Sequence, residues 1–257
     1  MLFEIRSYLN FLKNSQNQHG LHSPFMYDLV TKCFYDRSDH SGYELIKTYR
    51  NDLLRNKELI EIKDFGAGSK VFKSNKRPVF AIAKNAGMTL HRAKLLHRLL
   101  NYLKVENALE LGTSLGIASA AISANPATQL TTIEGCPATA EIAQRQFEKY
   151  QLKVDLKIAD FNTVFHETPF QQQKFDLIFI DGNHQQEATI QYFETLLNHI
   201  HEDSVLIFDD IHWSVAMENA WAQIKQHPAS LQTIDTFKWG MVFFRKQQAQ
   251  QDFVIRV

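Results

Sequence analysis

Glu110-Leu111-Gly112-Thr113-Ser114-Leu115-Gly116 is the stretch of this 257-residue chain whose residue types and spacing most nearly prescribe a chemistry. An apolar run, Ala108 and Leu109, leads into it and a helical pattern follows, so it reads as a strand end, a tight turn and a helix start. Glycines at 112 and 116 let the backbone turn sharply, and a bulky ligand can then approach the amides at the helix N-terminus. Thr113 and Ser114 join Glu110, Gly112 and Gly116 as candidate ligand contacts. A glycine turn that holds nothing satisfies the same pattern. Glu134 closes the next run, Leu130-Thr131-Thr132-Ile133, about 20 residues past the turn, where an acid accepts hydrogen bonds from ribose hydroxyls. Asp160-Phe161 closes a third run. There a carboxylate can hold the exocyclic amine of an adenine while the ring stacks on it; a helix N-cap followed by a core phenylalanine fits as well.

Two acidic clusters follow the fourth and fifth apolar runs: Asp181-Gly182-Asn183-His184 and Asp209-Asp210-Ile211-His212-Trp213. Asp181, Asp209 and Asp210 converging on one crevice repel each other unless a cation or a donor neutralises them. Oxygen-rich ligation favours a hard ion, Mg²⁺ or Ca²⁺, over zinc. The other reading has Asp181 and Asp210 capping helices and Asp209 bonded to backbone amides. His184 and His212 are both candidate general bases, because an imidazole titrates near neutral pH. His184, three residues past Asp181, is the favoured one, with Asp181 as its catalytic neighbour and a further cofactor contact. Trp213 either walls an acceptor pocket or packs over the start of its helix. Asp64-Phe65-Gly66-Ala67-Gly68 imitates a nucleotide loop, but Val71 stands where the third glycine belongs, so it reads as a lid near the mouth of the site. His19, His22, His91 and His97 show no ligand spacing.

These residues must be held by elements whose rhythm is visible. Residues 1 to about 60 are helical and mixed, with Leu2, Ile5, Tyr8, Leu9 and Leu12 at helical spacing. His22-Ser23-Pro24 is a turn and helix start. A helix runs from about Thr89 to Leu103. From Val105 onward, strands at 107–111, 130–134, 153–159, 175–181 and 204–208 alternate with helices at 115–124, 137–150, 185–200 and 214–226. Such alternation implies a parallel sheet with right-handed crossovers. The last two strands, about 231–237 and 240–245, are separated only by Lys238 and Trp239. So short a link carries no crossover, and this pair is expected to be antiparallel. The expected fold is thus α/β: a Rossmann-like, doubly wound, mostly parallel seven-stranded sheet with a C-terminal antiparallel hairpin and an N-terminal helical cap. The expected domains are a cap or lid region over 1–85 and the main domain over 86–257.

From about 86 to 245 the chain resembles the class I S-adenosylmethionine-dependent methyltransferases, especially the branch similar to catechol and caffeoyl-CoA O-methyltransferases. The stretches that carry the likeness are Ala108-Leu-Glu-Leu-Gly-Thr-Ser-Leu-Gly116, Thr132-Ile-Glu134, Phe175-Asp-Leu-Ile-Phe-Ile-Asp-Gly-Asn-His184 and Val205-Leu-Ile-Phe-Asp-Asp210. The resemblance implies that Glu110, Gly112 and Gly116 hold the methionine part of S-adenosylmethionine and that Glu134 holds its ribose, with help from Gly87-Met88-Thr89. It also implies a divalent ion on Asp181, Asp209 and Asp210. Asp210 stands where the metal-dependent members have Asn, and His184 where they commonly place a lysine base. Both departures count against catechol-type chemistry and leave the cofactor fold intact. The wording of the two acidic clusters is closest to the broad "methyltransferase domain 24" group, whose acceptors are diverse. The implied activity is O-methylation of a small-molecule acceptor.

Composition narrows the alternatives. Lys plus Arg equals Asp plus Glu at 28 each, so no global field draws the chain to nucleic acid or to an anionic membrane. Cys33 and Cys136 lie far apart and match no metal spacing, as in a reduced intracellular protein. The start of the chain does not read as a signal peptide, and no run approaches the ~18 apolar residues of a membrane span. A soluble cytoplasmic protein is expected, with the N-terminal helices serving either as a pocket cap or as the arm of a homodimer. A NAD(P)-dependent oxidoreductase would carry Gly-x-Gly-x-x-Gly, whereas position 114 is Ser. A non-catalytic protein that binds an adenosyl ligand is the other competitor.

Overall fold

A computed structural model describes residues 2–63 and 74–257. The Asp64–Gly68 loop lies outside the described residues. The chain divides into two compact units, one discontinuous (1–36 with 172–257) and one continuous (37–171). The expected boundary at 85/86 therefore falls inside the continuous unit.

The discontinuous unit begins with α1 (Leu2–Asn14) and α2 (Pro24–Leu29), the latter running on into a π-helical turn over Val30–Phe34. Ser23 caps α2 by accepting from the Met26 amide, and Pro24 occupies the first turn, where a missing N–H costs nothing. The periodicity of α1 does form a helix, but its apolar residues are not the buried ones. Ile5 and Leu9 are 53% and 61% exposed, whereas Phe11 and Ser7 are buried.

The continuous unit follows. It contains α3 (Tyr43–Arg55), a short antiparallel pair β1 (Leu59–Glu61) and β2 (Lys76–Pro78), α4 (Val79–Asn85), α5 (Leu90–Leu103), β3 (Asn107–Leu111) and α6 (Ile117–Ser123). Then come β4 (Gln129–Glu134), α7 (Pro137–Lys149), β5 (Val154–Ile158), α8 (Phe161–Phe165) and α9 (Thr168–Gln171). Thr89 caps α5 and Lys104, in the left-handed region, ends it. β3 and β5 flank β4, both parallel to it, with Glu110 in register with Thr132 and Glu134 with Ile158.

Back in the discontinuous unit are β6 (Leu177–Ile180), α10 (Gln186–Leu196), β7 (Val205–Asp209), α11 (Val215–Gln226), β8 (Gln232–Asp235), β9 (Trp239–Phe243) and β10 (Gln251–Val254). β6 and β7 are parallel and buried along their whole length, as an unbroken apolar run requires when both faces are covered. β8 and β9 form the expected antiparallel hairpin, and β9 also pairs antiparallel with β7.

The fold is α/β with a mostly parallel sheet, as expected, but its large-sheet strands number eight rather than seven. The extra one is β10, parallel to β8 and starting in a glutamine-rich patch. Only Phe253 of its four residues is buried, so it carries no apolar alternation to betray it. No helix among the described residues is long and apolar enough to cross a membrane.

Candidate functional site

In the continuous unit, β3 delivers Glu110 to a fully buried position under the glycine turn. Its Oε2 accepts from the Ser119 hydroxyl at 2.5 Å and the Thr132 hydroxyl at 2.6 Å. Because the single Thr132 proton is used there, the 2.6 Å contact between Thr113 and Thr132 has Thr113 as donor. Oε1 of Glu110 is buried without a protein partner. Burial outweighs the two hydroxyl bonds and pushes the carboxyl from its ordinary 4.5 up to about 7, with Glu134 adding to the rise.

The turn itself holds three residues in the left-handed region: Gly112 (φ 100°), Ser114 (φ 50°) and Gly116 (φ 77°). Four of its amides are engaged within the protein. Gly112 and Thr113 donate to the Ile133 carbonyl, Gly116 donates to the Thr113 carbonyl, and Ser114 donates to Oε2 of Glu134 at 2.7 Å. Gly112 is needed for its φ. Gly116 is needed for its φ and for space, because a Cβ there would lie 2.6 Å from Phe147 and closer still to the Tyr49 hydroxyl.

Glu134, half-buried at the end of β4, takes the Ser114 amide on one oxygen and the Cys136 amide at 2.8 Å on the other. Burial raises its pKa, and the amide bonds oppose that rise. The Thr139 hydroxyl and the Gly135 amide add to that opposition. The turn and Glu134 are thus brought together, as their spacing predicts. Asp160 is exposed and caps α8 by accepting from the Asn162 amide, the capping alternative, with Phe161 half-buried behind it. Gly87 lies against α6, since a Cβ on it would meet Ile117 at 2.7 Å, and the Met88 carbonyl accepts from Arg50 Nε at 3.1 Å.

In the discontinuous unit the loops after β6 and β7 contain three non-glycine residues of positive φ: Asn183 (68°), His184 (33°) and Asp210 (53°). Such backbone costs of order 1–3 kcal/mol per residue and clusters at functional sites. His184 Nε2 stands 3.5 Å from Asp181 Oδ1, and its ring centroid lies 5.8 Å from that of Trp213. His212 is different. Its Nδ1 donates to Glu218 at 2.7 Å and its Nε2 to Asp235 at 2.8 Å, while its ring stacks on Phe237. Burial pulls its pKa down, but the Asp235 and Glu218 carboxylates outweigh that and leave it raised. With both ring nitrogens donating, His212 has no lone pair for a substrate proton, so it is not a general base.

The three aspartates do not form a metal cage. Asp209 is buried and accepts the Asp210 amide, Asp210 meets the Lys238 ammonium at 3.2 Å, and Asp181 faces His184. Among the described residues no three His, Cys, Asp or Glu side chains are placed to hold an ion. Donors and cations of the protein do the neutralising, so the residues present do not fit Mg²⁺ or Ca²⁺. Nearby, a cleft of about 350 Å³ is lined by Glu4, Ile5, Tyr8, Leu9, Asp210, His212, Trp213, Phe237 and Lys238. Tyr8, Phe237 and Lys238 were not legible as site residues, because no motif links them to the acidic loops.

The family model described as "Methyltransferase domain" matches residues 109–211. The match covers less than half of the chain and is a likeness of that segment. The match opens one residue before Glu110 and closes at Ile211, so it takes in the glycine turn, Glu134 and all three aspartates but not His212, Trp213 or Tyr49. No curated protein matches the chain. Among solved structures, the SAH-bound methyltransferase PaMTH1 of Podospora anserina superposes with a TM-score of 0.59 at 14% identity, over 88% of this chain and 97% of that one. The O-methyltransferase of Bacillus cereus in complex with SAH gives 0.52 at 17%, over 84% and 96%. TomG of Streptomyces achromogenes, an O-methyltransferase involved in tomaymycin synthesis and solved with SAM, gives 0.52 at 16%, over 86% and 96%. At these identities the likeness is one of fold.

Proposed function

We propose that this chain transfers a methyl group from S-adenosylmethionine to a hydroxyl oxygen of a small-molecule acceptor in the cytoplasm. The single observation that carries the reading is the union of the positive-φ turn at Gly112–Gly116 with the Glu134 carboxylate. The matching family and the SAM- or SAH-bound proteins of like fold support it. The turn fits the cofactor in a second respect: Glu110 leaves one acceptor oxygen unsatisfied beneath it.

On this reading Glu110, Gly112, Thr113, Ser114 and Gly116 seat the methionine portion and Glu134 accepts the ribose hydroxyls, with Asp160, Phe161 and Asp181 as further contacts. The bound cofactor supplies an electrophilic methyl group, and the protein supplies alignment. The discontinuous unit holds a cleft between α1 and the loop after β7, whose volume of about 350 Å³ suits a small molecule. Tyr8, Trp213 and Phe237 give it aromatic walls. His184 takes the acceptor proton; its Nε2 stands a loose 3.5 Å from Asp181 Oδ1. General-base assistance of this kind is worth about 10²–10⁴-fold.

Calorimetry with S-adenosylhomocysteine tests the cofactor half. The wild type binds it, and Glu134→Ala weakens binding at least about tenfold. Binding of NAD(H) instead, or indifference to Glu134, refutes the reading. For the catalytic half, His184→Ala cuts turnover without changing cofactor affinity. A parallel loss of affinity removes His184 from the base role.

A further inference from the structure

α3 lies outside the matched segment 109–211, yet two consecutive side chains on it grip backbone, one within the turn and one just before α5. Tyr49, fully buried, donates its hydroxyl to the Leu115 carbonyl at 2.9 Å. Arg50 donates Nε to the Met88 carbonyl at 3.1 Å. The Tyr49 ring packs between Phe147 and Tyr150, with centroids 6.4 and 5.4 Å away. Asp52, on the same helix, accepts from the Tyr150 hydroxyl and the Lys149 ammonium, tying α3 to the end of α7. Burial, with Glu110 and Tyr150 nearby, raises the Tyr49 phenol well above the usual tyrosine range, so the hydroxyl keeps its proton and remains a donor.

Leu115 sits between Ser114 and Gly116, both of positive φ. A non-glycine residue in that region is strained and persists only when its surroundings over-determine it. We infer that Tyr49 is a positioning residue for the cofactor: it fixes the Leu115 carbonyl and so holds the turn in the shape the adenosyl ligand needs, while Arg50 fixes Met88. Without the hydroxyl the turn relaxes, and the apparent affinity falls by the fraction of molecules that remain competent. This inference rests on the reading that the turn seats the cofactor.

The test is Tyr49→Phe, which keeps the ring between Phe147 and Tyr150 and removes only the donor. The variant binds S-adenosylhomocysteine about five- to tenfold more weakly than the wild type, the worth of one hydrogen bond. Amide exchange at Ser114 and Gly116 quickens in the free variant and returns to the wild-type rate once the ligand is bound, while exchange in β6 and β7 does not move. A merely destabilised protein exchanges faster everywhere. Should Tyr49→Phe fail to fold, Arg50→Met probes the second contact by the same two measurements. A variant that matches the wild type within a factor of about two overturns the brace and leaves the cofactor reading standing. A wild type that binds no adenosyl ligand overturns both.

Discussion

The Ser114 amide and the Glu134 carboxylate are joined at 2.7 Å across a sequence separation of 20 residues, and the second Glu134 oxygen holds the Cys136 amide. One side chain thus locks the end of β4 to the glycine turn after β3. Glu134→Ala leaves two amides without an acceptor, at about 1–3 kcal/mol for each that water does not reach. Chemical denaturation of the ligand-free variant should show this loss. An unchanged midpoint would mean that the clasp contributes nothing without ligand.

Gly116→Ala should be among the most damaging single-methyl changes in the chain. The new Cβ meets Phe147 at 2.6 Å and the Tyr49 hydroxyl closer still, at a φ of 77°. Strain of about 1–3 kcal/mol from the backbone adds to overpacking of similar size. Urea unfolding reads the sum, and a variant as stable as the wild type would show that the turn reshapes freely.

Glu110 links stability to pH. Its folded-state pKa, about 7, lies above its ordinary 4.5, so the native state binds the proton more tightly than the unfolded chain does. The contribution is fully present below pH 4.5 and is lost as pH rises through about 7. It amounts to about 3 kcal/mol at its full extent. Unfolding free energies of the wild type and Glu110→Gln, compared across that window, should diverge in favour of the variant as pH rises. A difference independent of pH would place the proton elsewhere.

His212 acts in the same direction at higher pH. Its raised pKa makes the Glu218–His212–Asp235 bridge fully stabilising below the ordinary histidine value of 6.5 and weaker as pH climbs past the folded value. His212→Gln should remove a fall in stability that the wild type shows as pH rises above about 6.5. Thermal unfolding over that range decides it: a wild-type curve parallel to the variant's rules the bridge out.

Magnesium should have no saturable site at Asp181, Asp209 and Asp210. Asp209 already accepts an amide, Asp210 meets the Lys238 ammonium and Asp181 faces His184, so an ion would have to displace Lys238 and His184. Calorimetric titration of Mg²⁺ into the protein, and cofactor binding with and without EDTA, should both be featureless. Heat that disappears in Asp210→Ala would restore the metal.

Sequence alone determined the strand–helix alternation from Val105 to Phe243 except for the two short helices α8 and α9, together with the antiparallel final hairpin and the place of the glycine turn. Those signals are local: apolar period, glycine spacing and a link too short for a crossover. The pairing of the turn with Glu134 was also legible, because consecutive parallel strands bring their carboxyl ends side by side. Tertiary structure alone decided what each polar group does there. Asp210 meets Lys238, His212 sits between Glu218 and Asp235, and Tyr49 reaches Leu115 from 66 residues away. None of these partners shares a motif with the residue it serves. A hydrogen bond or ion pair depends on which side chains the packed fold sets within about 3 Å of each other, and one-dimensional spacing carries no record of that. The buried face of α1 and the strand β10 escaped for the same reason: what covers a residue is a property of its neighbours in space.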